Sequence, residues 1–191
     1  MSARIAVLLL TGPRRSPAAP PGVDAAALVA ALAEDVFTVF AELDDVAEAI
    51  AYTPENAALA AAISWPGTVL TAVPAAGAVP HALAALGAAG YTQAALVAAD
   101  APDLPALHIA KTFIALSTSS AAAAPAVGGG LVVLASRLPP RSGLTGLDLD
   151  SAVPAWLRLT PPWRRLRRAE ELDELDPGLD GWAATRALLG Y

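Results

Sequence analysis

The sequence contains no cysteine, only two histidines, and Lys111 as its single lysine. The lack of cysteine excludes disulfides, thiolate metal sites and thiol nucleophiles. His81 and His108 each lie alone in a predicted helix, where histidine is more often structural than catalytic, so no serine triad can be argued. The patterns GxGxxG, GxxxxGK[ST] and GxSxG are also missing, which argues against a dinucleotide-binding enzyme, a P-loop protein or an α/β-hydrolase.

Charged residues are sparse, at 16% of the chain, and the 18 acidic residues outnumber the 12 basic ones. A net charge of −6 is a poor match for polyanions, so we expect neither a nucleic-acid partner nor binding to an anionic membrane. Long hydrophobic runs are missing too, because the apolar run Ile5–Leu10 is too short for a signal peptide or a membrane span. We therefore expect a cytoplasmic protein.

Hydrophobic residues make up 55% of the 191 positions, which is enough to bury the core of one domain spanning residues 1–191. Short apolar or β-branched runs (5–10, 46–53, 68–73, 94–99) alternate with helical patterns (24–43, 55–63, 81–89, 107–116), and segments 121–126 and 131–136 flank a glycine run. This alternation predicts an α/β fold of three layers, in which helices cover both faces of a mostly parallel sheet.

The rhythm of strands and helices breaks at about residue 139. Prolines and turn residues follow, and a charged tract at 164–176 precedes a predicted terminal helix near 179–189. We expect an irregular appendage of the same domain, held on the sheet by Trp156, Trp163 and Trp182.

The loop that follows the first predicted strand is the first candidate site. Open α/β sheets bind ligands beyond the carboxyl ends of their strands. Thr11, Gly12, Arg14 and Arg15 lie there, and backbone N–H groups with two guanidinium groups suit phosphate oxygens. The alternative is a solvated surface loop, which is the usual fate of a charged pair.

The second candidate site is the segment Asp100-Ala101-Pro102-Asp103-Leu104-Pro105, directly after the predicted strand 94–99. Two carboxylates at the end of a strand could hold Mg²⁺, which prefers oxygen ligands and often uses one or two carboxylates together with substrate phosphates. The alternative is that Asp100 caps a turn and Asp103 caps the following helix at its N-terminus.

This segment resembles the D-x-P-D-L-P motif of the family named DUF2064, a group of GT-A-like proteins similar to 2-phospho-lactate guanylyltransferases and molybdenum-cofactor nucleotidyltransferases. The order of the other features agrees along most of the chain, including Tyr52-Thr53-Pro54 after a strand and Pro125-Ala126 before the glycines. The acidic stretch 168–175 also resembles the one that closes the sheet in such proteins. The six-residue motif carries the specificity of the resemblance.

The resemblance implies a nucleotide-diphospho-sugar transferase fold and a reaction in which Mg²⁺ or Mn²⁺ steadies phosphates. It implies that Asp100, as the catalytic residue, holds the metal, with Asp103 as a second candidate ligand, and that the loop of Thr11, Gly12, Arg14 and Arg15 holds a nucleotide or nucleotide sugar. Because Asp100 is expected at the rim, Asp100→Asn should abolish metal-dependent binding and leave folding nearly intact.

Three departures from the family pattern leave two functions open. The acidic position of the pattern P-A-x-D-G-G-Y is Gly128 here, the lysine-threonine-arginine run after the first strand is absent, and Pro80 and His81 replace an L-G-x-R helix start. Loss of three charged groups should cripple transfer, which depends on cancelling phosphate charge. The chain is therefore either a metal-dependent nucleotidyltransferase or glycosyltransferase, or a degenerate binding or assembly module whose alanine-rich helices could pack in a homo-oligomer.

Overall fold

The computed structural model describes residues 3–11, 19–176, 178 and 181–191, and within these residues the chain forms one seven-stranded sheet. The strands are β1 (Arg4–Leu10), β2 (Val46–Tyr52), β3 (Val69–Ala72), β4 (Gln93–Ala98), β5 (Ala121–Pro125), β6 (Leu131–Arg137) and β7 (Arg158–Leu159), in the spatial order β3-β2-β1-β4-β6-β5-β7. Strand β6 pairs antiparallel with both of its neighbours, and the other pairings are parallel.

The helices are α1 (Ala25–Thr38), α2 (Ala57–Ile63), α3 (Ala78–Ala88), α4 (Ala106–Ala115) and α5 (Ala183–Leu189), with short 3₁₀ helices at Val39–Glu42, Pro54–Asn56, Ser142–Leu144 and Ala169–Glu174. The carboxylate of Asp24 caps α1 by accepting a hydrogen bond of 2.8 Å from Ala27 N. No described helix is both long and apolar enough to cross a membrane.

The sheet is covered on both faces, as its apolar strands require. Buried side chains of α1, α2 and α4 pack on one face, and α3 with apolar residues from the 144–157 segment packs on the other. Both central strands are almost completely buried, β1 from Ile5 to Leu10 and β4 from Ala94 to Ala98. The predicted three-layer α/β class is therefore confirmed.

The C-terminal part of the chain forms a small core of its own against the outer side of α1. Leu28 and Leu32 of α1 contact Leu166, Leu172, Leu175 and Trp182 there, and Trp182 is only 1% exposed. Trp182 thus rests on a helix and not on the sheet. Trp156 is 48% exposed, so it does not anchor this region as the sequence suggested, whereas Trp163 packs partly buried against the first face of the sheet.

Candidate functional site

The chain changes the side of the sheet on which it adds strands between β1 and β4. Strands β2 and β3 follow β1 to one side, whereas β4 is placed on the other side of β1. Such a switch point opens a crevice at the carboxyl ends of the two strands, where α/β sheets bind ligands. Leu9 and Ala98 are partners in the register, so Thr11 and Asp100 each lie two residues beyond the last pair, at the carboxyl ends of the two strands.

Thr11 is a buried polar residue at this edge. Thr11 is 7% exposed, and its Oγ1 has no hydrogen-bond partner among the described residues. Buried hydroxyl groups are normally bonded, so this oxygen is available to a group outside the described part of the chain or to a ligand. Gly12, Arg14 and Arg15 lie outside the described residues, and their role as phosphate ligands stays a prediction.

Two polar residues after β2 border the same edge. The amide of Asn56 donates to Leu10 O at 3.4 Å and to Thr53 Oγ1 at 3.0 Å, and Thr53 N donates to Leu10 O at 2.9 Å. These bonds fix the end of β1, from which Thr11 follows. Asn56 is not among the site residues predicted from the sequence, although its place two residues after Pro54, beyond a strand end, was a usable signal.

Asp100 faces an arginine from the C-terminal part of the chain. Its Oδ1 accepts a hydrogen bond from Arg165 Nε at 2.5 Å, and its Oδ2 accepts one from Arg165 Nη2 at 2.9 Å. This two-pronged geometry is the strongest form of arginine–carboxylate pairing. The side chain of Arg165 is 3% exposed and that of Asp100 is 22% exposed, so the guanidinium group is the buried partner and the carboxylate keeps some contact with solvent.

Arg165 is surrounded by oxygen atoms on its other side as well. Its Nη1 donates to Asp150 Oδ1 at 2.7 Å and to the backbone oxygens of Leu131 and Leu149 at 3.1 and 3.3 Å. Burial lowers the pKa of the guanidinium, but Asp100 and Asp150 more than offset this, so the pKa lies above its usual value. Arg165 is therefore permanently charged.

Asp103 is engaged in a similar way, by Arg164. Arg164 Nε and Nη2 donate to Asp103 Oδ2 at 2.7 and 2.5 Å, and the indole N–H of Trp163 donates to Asp103 Oδ1 at 3.2 Å. Helix α4 begins at Ala106 with Pro105 in the N-cap position and no side-chain cap. Asp103 therefore does not cap the helix, which corrects one of the two alternatives drawn from the sequence.

The residues that meet these carboxylates form one continuous stretch, 163–167, which we call the arginine segment. Trp163 bridges to Ala126 beside the end of β5, through Trp163 N to Pro125 O and Val127 N to Trp163 O. Leu166 N donates to the backbone oxygen of Asp100 at 2.7 Å, and the Leu166 side chain is fully buried. Backbone bonds and an apolar anchor therefore hold the segment against the crevice.

The glycine turn between β5 and β6 accommodates the end of this segment. Gly128, Gly129 and Gly130 all have positive φ angles, which L-residues rarely adopt. Arg167 donates through Nη1 to Gly129 O at 3.0 Å and through Nη2 to Asp150 Oδ1 at 3.0 Å. A Cβ atom on Gly130 would lie 2.9 Å from Arg167 Nη2 and 2.7 Å from Leu149 O, so the turn and Arg167 require a glycine there.

A divalent cation on Asp100 or Asp103 would have to compete with the arginine that is already paired with that carboxylate. Both oxygens of each carboxylate already accept hydrogen bonds from arginine or tryptophan. The described part of the chain also contains no group of three or more histidine, aspartate or glutamate residues that could hold a metal. The two predicted metal ligands, Asp100 and Asp103, thus lie at the same edge of the sheet, but Asp100 is paired with Arg165 and Asp103 with Arg164.

The arginine segment was not predicted from the sequence, where residues 164–176 stand out as a charged tract and 168–175 as an acidic stretch. One signal was present, because Arg165 and Arg167 flank the apolar Leu166, and alternation of this kind places two cations on one side of an extended chain. Nothing in the sequence indicated which carboxylates they would meet, since the partners lie 65 and 17 positions away.

Comparison with known proteins agrees with this architecture. Residues 36–149, more than half of the chain, match the family model described as "Uncharacterized protein conserved in bacteria (DUF2064)". Among solved structures, the chain is similar to a candidate nucleotide-diphospho-sugar transferase from Desulfovibrio desulfuricans G20, with 20% identity and a TM-score of 0.75 over 100% of this chain and 95% of that one.

Two further structures share the fold. One is Rv0371c of Mycobacterium tuberculosis H37Rv in complex with manganese, with 16% identity and a TM-score of 0.56 over 98% of each chain. The other is the 4-diphosphocytidyl-2C-methyl-D-erythritol synthase of Anaerococcus prevotii DSM 20548, with 9% identity and a TM-score of 0.56 over 97% of this chain and 98% of that one. At these identities the likeness establishes the fold. No curated protein matches the sequence.

Proposed function

The chain belongs to the DUF2064 family, and on that premise we propose that it binds the phosphate-bearing part of a nucleotide or nucleotide sugar without a divalent cation on Asp100. In this proposal it is the degenerate binding module of the two functions left open by the sequence, and it does not catalyse cation-dependent nucleotidyl or glycosyl transfer. The observation that carries the proposal is the pairing of both Asp100 oxygens with Arg165.

The place of binding is supported by the topology. The switch point between β1 and β4 puts Thr11 beyond the carboxyl end of β1, where open α/β sheets bind ligands, and Gly12, Arg14 and Arg15 follow Thr11 in the sequence. Structural neighbours of this fold are nucleotide-diphospho-sugar transferases and cytidylyltransferase-like proteins. In the proposal, Thr11 and the N–H groups and guanidinium groups of the residues that follow it contact the phosphates.

The loss of transfer follows from the chemistry of the reaction. Nucleotidyl transfer depends on cations that neutralise the phosphate oxygens at the moment of reaction. In the proposal, the charge of the Asp100 carboxylate is already balanced by the buried guanidinium of Arg165, so a divalent cation would have to displace or lie beside a positive charge, and Arg165 directs its own N–H groups to oxygens of the protein. The positive charge of Arg165 is therefore paired with oxygens of the protein and does not face a phosphate group.

The test is thermal unfolding of the full chain with GTP, CTP and UDP-sugars, each with EDTA or with Mg²⁺ or Mn²⁺. A ligand present at ten times its dissociation constant stabilises the native state by about 1.4 kcal/mol. We expect at least one of these ligands to raise the melting temperature equally with EDTA and with the metals. Replacing both Arg14 and Arg15 by alanine should abolish that rise.

Turnover is measured in parallel as pyrophosphate or nucleoside diphosphate release with phosphosugar or sugar acceptors. Release that requires Mg²⁺ or Mn²⁺, and that Asp100→Asn abolishes, would establish the metal-dependent transferase instead. No melting shift with any of these ligands at millimolar concentration would refute the nucleotide-binding proposal.

A further inference from the structure

The guanidinium of Arg165 lies in a cradle built only of oxygen atoms. Five protein oxygens accept its N–H groups: both carboxylate oxygens of Asp100, Oδ1 of Asp150, and the backbone oxygens of Leu131 and Leu149. Carboxylate and carbonyl oxygens in this number are the ligand set that hard divalent cations take in proteins. The guanidinium of Arg165, a monovalent cation that belongs to the chain itself, lies at the centre of these oxygens.

We infer that Arg165 fills a cation-binding cradle in cis, and that removing its guanidinium converts the five oxygens into a divalent-cation site. This inference rests on the proposed function in one respect, namely that Asp100 binds no divalent cation in the unaltered chain. It goes beyond that function by assigning a latent metal site whose ligands are Asp100, Asp150 and two backbone oxygens.

The cradle is a built feature and not a chance surface pairing. Arg165 is 5% exposed, so its guanidinium group is buried among these oxygens. Two of the five oxygens belong to the backbone, and Leu131 N donates to Leu149 O at 2.7 Å, which fixes that carbonyl independently of Arg165. Arg167 Nη2 contacts Asp150 Oδ1 from the other side at 3.0 Å. The oxygens of Leu149 and Asp150 are therefore held in place by other groups as well as by Arg165.

The surroundings of Arg164 supply a natural comparison. Its guanidinium also pairs with one carboxylate, that of Asp103, but its other described bond is to a single backbone oxygen, that of Glu174 at 2.8 Å. Trp163 already occupies the second Asp103 oxygen. Removal of Arg164 thus leaves one carboxylate and too few oxygens for a cation, although the loss of charge is identical.

The experiment titrates MnCl₂ into the full chain and measures free Mn²⁺ by electron paramagnetic resonance, in the unaltered protein, Arg165→Ala and Arg164→Ala. We expect Arg165→Ala to bind one Mn²⁺ at least tenfold more tightly than the unaltered protein, and Arg164→Ala to show no gain. Adding Asp100→Asn to Arg165→Ala should remove the gained site. MnCl₂ should also raise the melting temperature of Arg165→Ala more than that of the unaltered protein.

The variant Arg165→Met, which keeps an apolar stem in the buried position, is prepared with MnCl₂ in case the alanine variant folds poorly. The inference is overturned if the folded Arg165 variants bind Mn²⁺ no more tightly than the unaltered protein. It is also overturned if the unaltered protein binds Mn²⁺ and Asp100→Asn abolishes that binding. Failure of the nucleotide melting shift alone would contradict the proposed function and leave the gained Mn²⁺ site standing, so the two claims fail separately.

Discussion

The carboxylate of Asp35, on α1, accepts a hydrogen bond of 2.8 Å from the backbone N–H of Thr185 at the start of α5. It also accepts one of 2.7 Å from Ala184 N. The first N–H groups of a helix lack partners within the helix, so α1 supplies the cap that α5 does not have in its own sequence. This contact joins the last helix to the three-layer body.

Asp35→Ala should therefore destabilise the protein. The substitution leaves the buried N–H of Thr185 and the partly buried N–H of Ala184 without this partner, and loss of the partner of a buried donor costs roughly 1–3 kcal/mol. Burial raises the pKa of Asp35, although the bonds from Thr185 and Ala184 work against that rise. Asparagine keeps one acceptor oxygen for one of the two N–H groups and carries no charge to bury, so Asp35→Asn should lose less than Asp35→Ala.

Urea unfolding of the two variants measures these effects, with the exposed neighbour substitution Glu34→Ala as a control that should leave stability nearly unchanged. Equal stabilities of Asp35→Ala and Glu34→Ala would contradict the capping role.

Asp100→Asn should also lower the free energy of unfolding. From the sequence, Asp100 was expected to lie at a rim where this change leaves folding nearly intact, but the structure places it in a pair with the buried Arg165. Removing one partner of a buried ion pair typically costs about 3–5 kcal/mol. We expect a loss somewhat below that range, because Asp150 still contacts Arg165. Chemical denaturation measures this loss of unfolding free energy. A loss under about 0.5 kcal/mol, typical of surface sites, would contradict the pairing of Asp100 with Arg165.

Gly130→Ala should be more damaging than Gly128→Ala. Both positions have positive φ angles, +78° and +87°, and that conformation alone costs an L-residue about 1–2 kcal/mol. Only at Gly130 would the new Cβ also meet backbone, at 2.7 Å from Leu149 O, whereas nothing lies within 4 Å of it at Gly128. Melting temperatures of the two variants isolate the close contact, because the conformational strain is common to both. Equal losses would show that the turn yields freely at Gly130.

His108 should make the protein less stable as the pH falls. Burial lowers the pKa of His108 below its usual value of 6.5, with a smaller contribution from Lys111, and the ring packs against Trp163 with centroids 4.6 Å apart. The unfolded chain then binds more protons than the folded chain as the pH drops through 6.5, so stability decreases in that direction.

The variant His108→Gln should show a shallower decline of unfolding free energy between pH 7.5 and pH 5.5 than the unaltered protein. His81→Gln, in which an exposed ring is removed, serves as the matched histidine-to-glutamine control. Parallel pH profiles for the unaltered protein and His108→Gln would exclude His108 as the source.

Most of the layered architecture was predictable because it depends on local patterns. The apolar runs at β1 and β4, the Asp24 cap of α1, and the stops at Pro54 and Gly90 place each boundary within a few residues of the observed one. Segment 121–125 was harder to assign, because its four alanines favour helix by intrinsic propensity. It is a strand because all four are buried between β6 and β7, where small side chains allow close packing.

The amino-acid sequence by itself determined the α/β class, the alternation of strands and helices, and the presence of two carboxylates at the end of β4, because hydrophobic period, turn residues and caps act over a few positions. Only the tertiary structure decided what those carboxylates do. Asp100 and Arg165 lie 65 positions apart, and their pairing depends on Leu166 being buried against α1 and on Trp163 joining the edge of β5. Contacts of that kind arise from packing of the whole chain, which no local spacing encodes.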